Sequence, residues 1–200
     1  MRSLAELIIE DSPAWAEIEA AVSASPYPIE TLPAEPESGA ACLHALQVTT
    51  ASWLGSIVYC TGGLIVDDGW LRIFGSGDPV RGLPDIHAAN EYSDGGGLVV
   101  AQDVLGGEFA WRPTDGEHPP TIQYFAPDLL SWEDLTLGYS DWLYAMLGGS
   151  VDRFYQSSRW PGWQDEVAEC PLDLGILSRE GGASRSLMPM PELVRLLHTT

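Results

Sequence analysis

The sequence contains no lysine. Its nine basic side chains are all arginine, set against 29 aspartates and glutamates in 200 residues, a formal net charge of −20. Without lysine there can be no P-loop, no Schiff-base chemistry and no lysine acid or base. So acidic a chain would repel phosphate backbones, which argues against nucleic acid as a partner. Cysteine is scarce as well. Cys42, Cys60 and Cys170 are odd in number, widely spaced and without a CxxC, so they read as free thiols in a reducing cytosol rather than as a disulfide framework. Long apolar runs are missing too. The charge-free stretch 38–66 is interrupted by His44, Gln47, Thr49, Thr50, Ser52, Ser56 and the pair Gly62-Gly63. A bilayer span needs ~20 mostly apolar residues, so the stretch reads as a buried helix followed by a buried strand. The opening MRSLAELIIE has no secretory pattern, and a cytoplasmic protein without membrane contact is expected.

What the sequence does have is core-forming material. Hydrophobic residues make up 45% of it and there are eight tryptophans, too many for a disordered acidic chain and enough for one domain spanning 1–200. Residues 1–50 read as helices. Ser3 and Glu6 have capping-box spacing, Ser12-Pro13 starts a second helix carrying Trp15, Ile18 and Val22, and a third is expected over about 37–47. Pro26, Pro28, Pro33 and Pro36 keep the stretch between them out of a helix.

Residues 53–126 read as a sheet of about six strands: Ser56–Cys60, Leu64–Val66, Trp70–Phe74, Leu98–Val104, Glu108–Trp111 and Thr121–Phe125. Gly62-Gly63, Asp68-Gly69 and Gly106-Gly107 supply the positive φ that tight hairpins require. Consecutive hairpins make the sheet an antiparallel meander. Residues 139–200 read as C-terminal helices and an extension. Ser140 caps a helix burying Trp142, Leu143, Met146 and Leu147, and Gly148-Gly149 stops it. A stripe of Val151, Phe154 and Tyr155 follows, then the turn Trp160–Trp163, a short helix near Asp165–Glu169, a loop over 171–190, and a last helix carrying Leu193, Leu196 and Leu197. The order helix–sheet–helix predicts an α+β fold, with helices packed on one face of a central antiparallel sheet.

No catalytic motif emerges. Gly75-Ser76-Gly77 opens like a dinucleotide loop, but Val80 stands where a third glycine belongs. There is no HExxH and no GxSxG, the four histidines are far apart, and neither a metal nor a cofactor is expected. Asp85, His87, Asp103 and Glu108 are the candidates for a ligand pocket near the Gly75–Asp85 loop. Trp132, Glu133, Asp134 and Asp141 are the candidates for a partner surface on the open sheet face and its loops. Trp160 and Trp163, either side of Pro161-Gly162, could add an aromatic rim or simply close the end of the core.

The runs LQVTTASWLGSIVYCTGGLIVDDGWLRIFGSG (46–77), DVLGGEFAW (103–111), QYFAPDLLSWEDLTLGYSDWL (123–143) and FYQSSRWPGW (154–163) resemble a bacterial family of unknown function. That family in turn looks like a relative of the SUKH superfamily. The resemblance covers roughly residues 1–170. It implies an α+β fold around an antiparallel sheet and a role as an immunity protein or regulatory binding module, and it supplies no catalytic residues. Together these readings predict a non-catalytic protein-binding module whose partner is a basic protein such as a toxin. The other reading is a small-ligand protein or enzyme using the Gly75–Asp85 loop.

Overall fold

The computed structural model describes residues 1–93, 96–114, 116, 118–179 and 184–199. Short polar caps start its first helices. In α1 (Leu4–Leu7) the Ser3 amide donates to Glu6 Oε2 at 2.8 Å. Before α2 (Ala14–Ser23), Ser12 Oγ accepts from the Ala14 amide, and the helix buries Ala14 and Ile18. The proline-rich stretch does more than avoid a helix. It forms β1 (Ile29–Pro33), an edge strand, where proline is tolerated. Helix α3 (Pro36–Leu46) begins on Pro36 and ends at Gln47 with φ 56°, within a residue of expectation.

Ser56–Cys60, expected as a strand, is helical. It belongs to α4 (Trp53–Cys60), capped by Ser52 Oγ accepting from the Gly55 amide at 3.1 Å. Leu54, Gly55, Ser56, Ile57 and Val58 are buried in succession and Tyr59 and Cys60 half-buried, so there is no amphipathic period to separate helix from strand. Gly62-Gly63 is likewise not a hairpin turn. Both glycines lie inside β2 (Thr61–Val66), where a Cβ on Gly62 would stand 2.6 Å from the Gly77 carbonyl oxygen. The other two turns form where expected. Asp67, Asp68 and Gly69 take φ of 56°, 57° and 97° between β2 and β3 (Leu71–Phe74). Helix α5 (Ile86–Asn90), absent from the sequence reading, precedes β4 (Leu98–Asp103). Gly106, at φ 86°, then turns the chain into β5 (Glu108–Arg112). Next come β6 (Thr121–Ala126) and a strand not expected, β7 (Ser131–Asp134). The sheet has seven strands in the order β1-β2-β3-β4-β5-β6-β7, antiparallel at every step.

Register divides the sheet into two faces, because directly paired residues point the same way. Leu64, Ile73, Ala101, Phe109, Tyr124 and Glu133 form one row across β2 to β7. That face packs against α6 (Tyr139–Ala145) and α7 (Val151–Phe154). Phe109 meets Trp142 at 5.0 Å and Phe154 at 5.5 Å between ring centroids. Gly138, rather than Ser140, caps α6. Gly149 at φ 118° does not end the helical path but bends it, through a wide turn at Met146–Ser150, into α7.

The opposite face is covered by chain expected to be largely loop. After α8 (Trp163–Ala168), residues 171–190 contain β8 (Leu174–Arg179) and β9 (Ser184–Pro189), a two-stranded hairpin apart from the main sheet; Gly181-Gly182 lies outside the described residues. Helix α9 (Met190–His198) follows and buries Met190, Leu193 and Val194. Helices therefore lie on both faces of the sheet, not on one. Among the described residues no helix is long and apolar enough to cross a membrane.

Candidate functional site

The second sheet face carries a row of cross-strand partners running from Ile65 through Arg72, Gln102, Glu108 and Phe125 to Trp132. Its centre is polar and buried. Glu108 is fully buried; its carboxylate accepts from Gln102 Nε2 and Ser93 Oγ, both at 3.0 Å, and lies 2.8 Å from His198 Nε2. The Tyr92 hydroxyl donates to Gln102 Oε1 at 3.1 Å, and burial keeps that phenol far from ionising. Arg72 donates to the carbonyls of Leu172 and Leu174, which fastens the C-terminal chain to the sheet. Burial pulls the pKa of its guanidinium down, opposed by Cys170 and Asp103.

The first face holds a different buried carboxyl. Asp103 Oδ1 accepts from the amides of Leu105 and Gly107, both at 2.9 Å, and Oδ2 accepts from the Tyr124 hydroxyl at 2.7 Å. Burial raises its pKa against the pull of these hydrogen bonds. Asp103 pairs with Leu71 and Glu108 with Gln102, so the two acids point to opposite faces of the sheet. Asp85, meanwhile, caps α5 by accepting from the amides of His87 and Ala88. The four candidate ligand residues Asp85, His87, Asp103 and Glu108 are thus not brought together. Strand alternation separates two of them, and helix capping occupies the third.

A cleft does open at the expected loop. Its volume is about 450 Å³, and Ser76, Leu83, Asp85, Tyr92, Asp173 and Met190 are among its walls. Of the four candidates only Asp85 lines it. His87 Nε2 is buried with no hydrogen-bond partner among the described residues, and His87 is not part of that lining. Among the described residues no three histidine, cysteine, aspartate or glutamate side chains converge to hold a metal ion.

Trp163 is buried and Trp160 half-buried, and they pack around the fully buried Trp70, Trp163 edge-on at 5.0 Å and Trp160 tilted at 5.6 Å between centroids. The Arg159 guanidinium lies over Trp163 at 4.1 Å and over Trp70 at 5.0 Å while pairing with Asp67 and, at 2.6 Å, with Asp152. Burial raises the pKa of Asp67, and Arg159 opposes it. Trp160 Nε1 donates to Glu166 Oε2 at 2.8 Å, and Arg185 pairs with the same carboxylate. This cage locks the β2–β3 turn to the WPGW segment. The motif points to two tryptophans with Arg159 beside them; Asp67 and Trp70 come from far along the chain and carry no local pattern.

Trp132, Glu133 and Asp134 share β7, which pairs with no strand other than β6 among the described residues. Trp132 is half-buried beneath Arg112 at 4.5 Å and beside Phe125 at 5.5 Å, while Glu133 and Asp134 are exposed. Asp141 is exposed on α6. The turn leading into β7 presents Leu129, 59% exposed, and Leu130, 39% exposed, with Leu130 at φ 52°. A leucine in the left-handed region is strained, and such strain gathers at functional segments. These two leucines are the part of the edge that no sequence signal marks. A cavity of about 360 Å³ brings Pro127 and Asp128 of this turn together with Trp160 and Leu197. Trp160 therefore neighbours the edge; Trp163 does not line that cavity.

Residues 4–178 match the family described as "Protein of unknown function DUF2625". An uncharacterized protein of Escherichia coli, YbfG, is 38% identical over 170 residues, covering 84% of this chain and 79% of the relative. An uncharacterized protein of Haemophilus influenzae is 33% identical over 176 residues, covering 84% of this chain and 77% of the relative. Neither the family description nor these relatives connects the chain to the SUKH superfamily. No solved structure gives a significant match.

Proposed function

The chain belongs to DUF2625, a family of unknown function, and from that premise we propose that it is a non-catalytic binding protein that docks a basic protein partner on the edge strand β7. One observation carries this: an unpaired strand edge whose turn exposes Leu129 and the strained Leu130 beside Asp128, Glu133 and Asp134. Exposed backbone can accept an added strand, and an apolar turn with a charged border supplies contact and selectivity. A second copy of this chain would bring acids against acids, which is how edge strands avoid pairing with themselves. A basic strand meets no such barrier.

The arginines reinforce the field. Arg72 is buried and Arg159 and Arg185 are taken up in the tryptophan cage; the exposed Arg2, Arg81, Arg153 and Arg195, and Arg112 over Trp132, are far outnumbered by the 29 acids, so the surface stays strongly negative. Such a field speeds encounter with a basic partner and repels nucleic acid. In the finer form of the proposal the partner is a toxin, neutralised in the cytoplasm as SUKH immunity proteins do. The sequence resemblance and the acidic edge support that form, and the three unpaired cysteines support a reducing compartment.

The test is co-purification with the products of neighbouring genes, at low and high salt, using the wild-type chain and Glu133→Arg/Asp134→Arg. The expected result is a complex that weakens steeply with salt and is lost in the double variant. A complex indifferent to both would overturn the proposal, as would the absence of any complex.

A further inference from the structure

We propose that the cleft between the Gly75–Asp85 loop and the start of α9 binds a small organic amine with an apolar body. It is a site separate from the β7 edge. The cleft has a volume of about 450 Å³, within the range of small-molecule sites. Its walls come from distant parts of the chain: Ser38 on α3, the loop itself, Ala88 and Tyr92 around α5, Asp173 before β8, and Met190-Pro191 on α9.

The loop is held in shape before any ligand arrives. Asp78 and Leu83 exchange both backbone hydrogen bonds, at 2.9 and 3.0 Å, and the Gly77 amide donates to the Gly62 carbonyl at 2.9 Å. Gly77, at φ 83°, packs so closely on Asp85 that a Cβ would stand 2.7 Å from its amide nitrogen. A preformed wall spares the ligand the cost of ordering it.

The ligand class follows from the chemistry of the lining. Pro79, Leu83, Pro84, Ala88, Met190 and Pro191 give it an apolar surface. Among the described residues its charged groups are Asp85 and Asp173, with no arginine or histidine in the lining. Arg81, the one base of the loop, pairs instead with Glu30 and lines a different cleft. Among the described residues neither Asp85 nor Asp173 forms a direct ion pair with an arginine, although Asp173 lies near enough to the buried Arg72 for their charges to interact. Asp85 spends Oδ1 on the amides of His87 and Ala88, which leaves Oδ2 for a ligand. The Tyr92 hydroxyl is committed to Gln102, so Tyr92 offers its ring. Phosphates and carboxylates are therefore disfavoured, and an ammonium group attached to an apolar body matches both parts of the lining.

Isothermal titration calorimetry with tryptamine tests the proposal, with 3-indolepropionate as the size-matched anion. The proteins are wild type, Asp173→Asn, Asp85→Asn and Ser38→Trp. Asparagine keeps the cap at 85, and Ser38 is exposed on α3, so tryptophan there fills the cleft from outside the core. Circular dichroism establishes that each variant is folded. The expected result is one-to-one binding of tryptamine but not of 3-indolepropionate. Each aspartate variant should weaken it about tenfold, and Ser38→Trp should abolish it. The proposal is overturned if the two probes bind alike, if the variants leave binding unchanged, or if tryptamine gives no binding at millimolar concentration.

Discussion

The His198 imidazole stacks on the Phe125 ring, centroids 4.0 Å apart, and sets its Nε2 2.8 Å from the carboxylate of Glu108. The contact joins the end of α9 to the middle of the sheet. Helix α9 lies beyond residues 4–178, the span of the family match, yet it covers a face whose central groups are polar and buried.

Replacing His198 by alanine removes both the stack and the polar contact, but leaves Glu108 its bonds to Gln102 and Ser93. Loss of about 1–3 kcal/mol is expected from urea unfolding. Amide exchange should quicken first in α9, before β4 and β5. Uniform loss of protection would mean that α9 is not a separately anchored cover.

Gly107→Ala should destabilise by more than its position in a turn suggests. A Cβ there would stand 2.2 Å from Asp103 Oδ2 and 2.5 Å from the Tyr124 hydroxyl, pushing apart a buried pair. About 2–3 kcal/mol is expected in denaturant titration. A neutral outcome would show that the Asp103–Tyr124 bond can be rebuilt nearby.

Arg159→Ala strips Asp67 of its partner while leaving it buried, and lifts a cation from two indole faces. Breaking one side of a buried pair typically costs ~3–5 kcal/mol. The pKa of Asp67, already raised by burial and held back by Arg159, should climb further, which carboxyl-carbon NMR can follow. Lysine should not rescue, because it cannot bridge two carboxylates with the same planar fork.

Asp103 gives a pH dependence with a definite sign. Burial holds its folded pKa above the ordinary 3.8, so the folded chain keeps a proton that the unfolded chain has lost. The stability this contributes is complete below pH 3.8 and disappears as pH rises through the folded value. Asp103→Asn cannot titrate. The stability of wild type relative to the variant, measured by urea titration at a series of pH values, should fall as pH rises through that window. A constant difference would count against a raised pKa.

The central hairpins were legible because positive φ leaves a mark: Asp68-Gly69 and Gly106-Gly107 turn the chain where the sequence says they should. Period-two alternation found β5 and β6 for a similar reason. Ser56–Cys60 reads as a strand and folds as a helix because consecutive burial over 54–58 leaves no period to distinguish the two. The stretch 171–190 shows no strand signal because β9 runs exposed, half-buried, exposed, exposed, half-buried, exposed, without a period of two, over a small satellite cluster rather than the main core. Of the candidate ligand residues, Asp85 lines the cleft. His87, Asp103 and Glu108 do not line it, since sequence proximity says nothing about which face of a sheet a side chain takes. Leu129, Leu130 and the Arg159 cage depend on long-range packing and one strained φ, neither of which one sequence displays.

The arginines have a practical consequence. Trypsin can cut this chain only after arginine. Arg72 is sealed beneath the C-terminal chain and Arg159 is clasped by two carboxylates and two indoles, whereas Arg2, Arg81, Arg153 and Arg195 are exposed. Timed digestion thus reports on folding segment by segment. Early cuts should fall at the four exposed sites, and a cut after Arg159 should mark release of the tryptophan cage. A fragment ending at Arg72 should arise only once the C-terminal chain has lifted from the sheet.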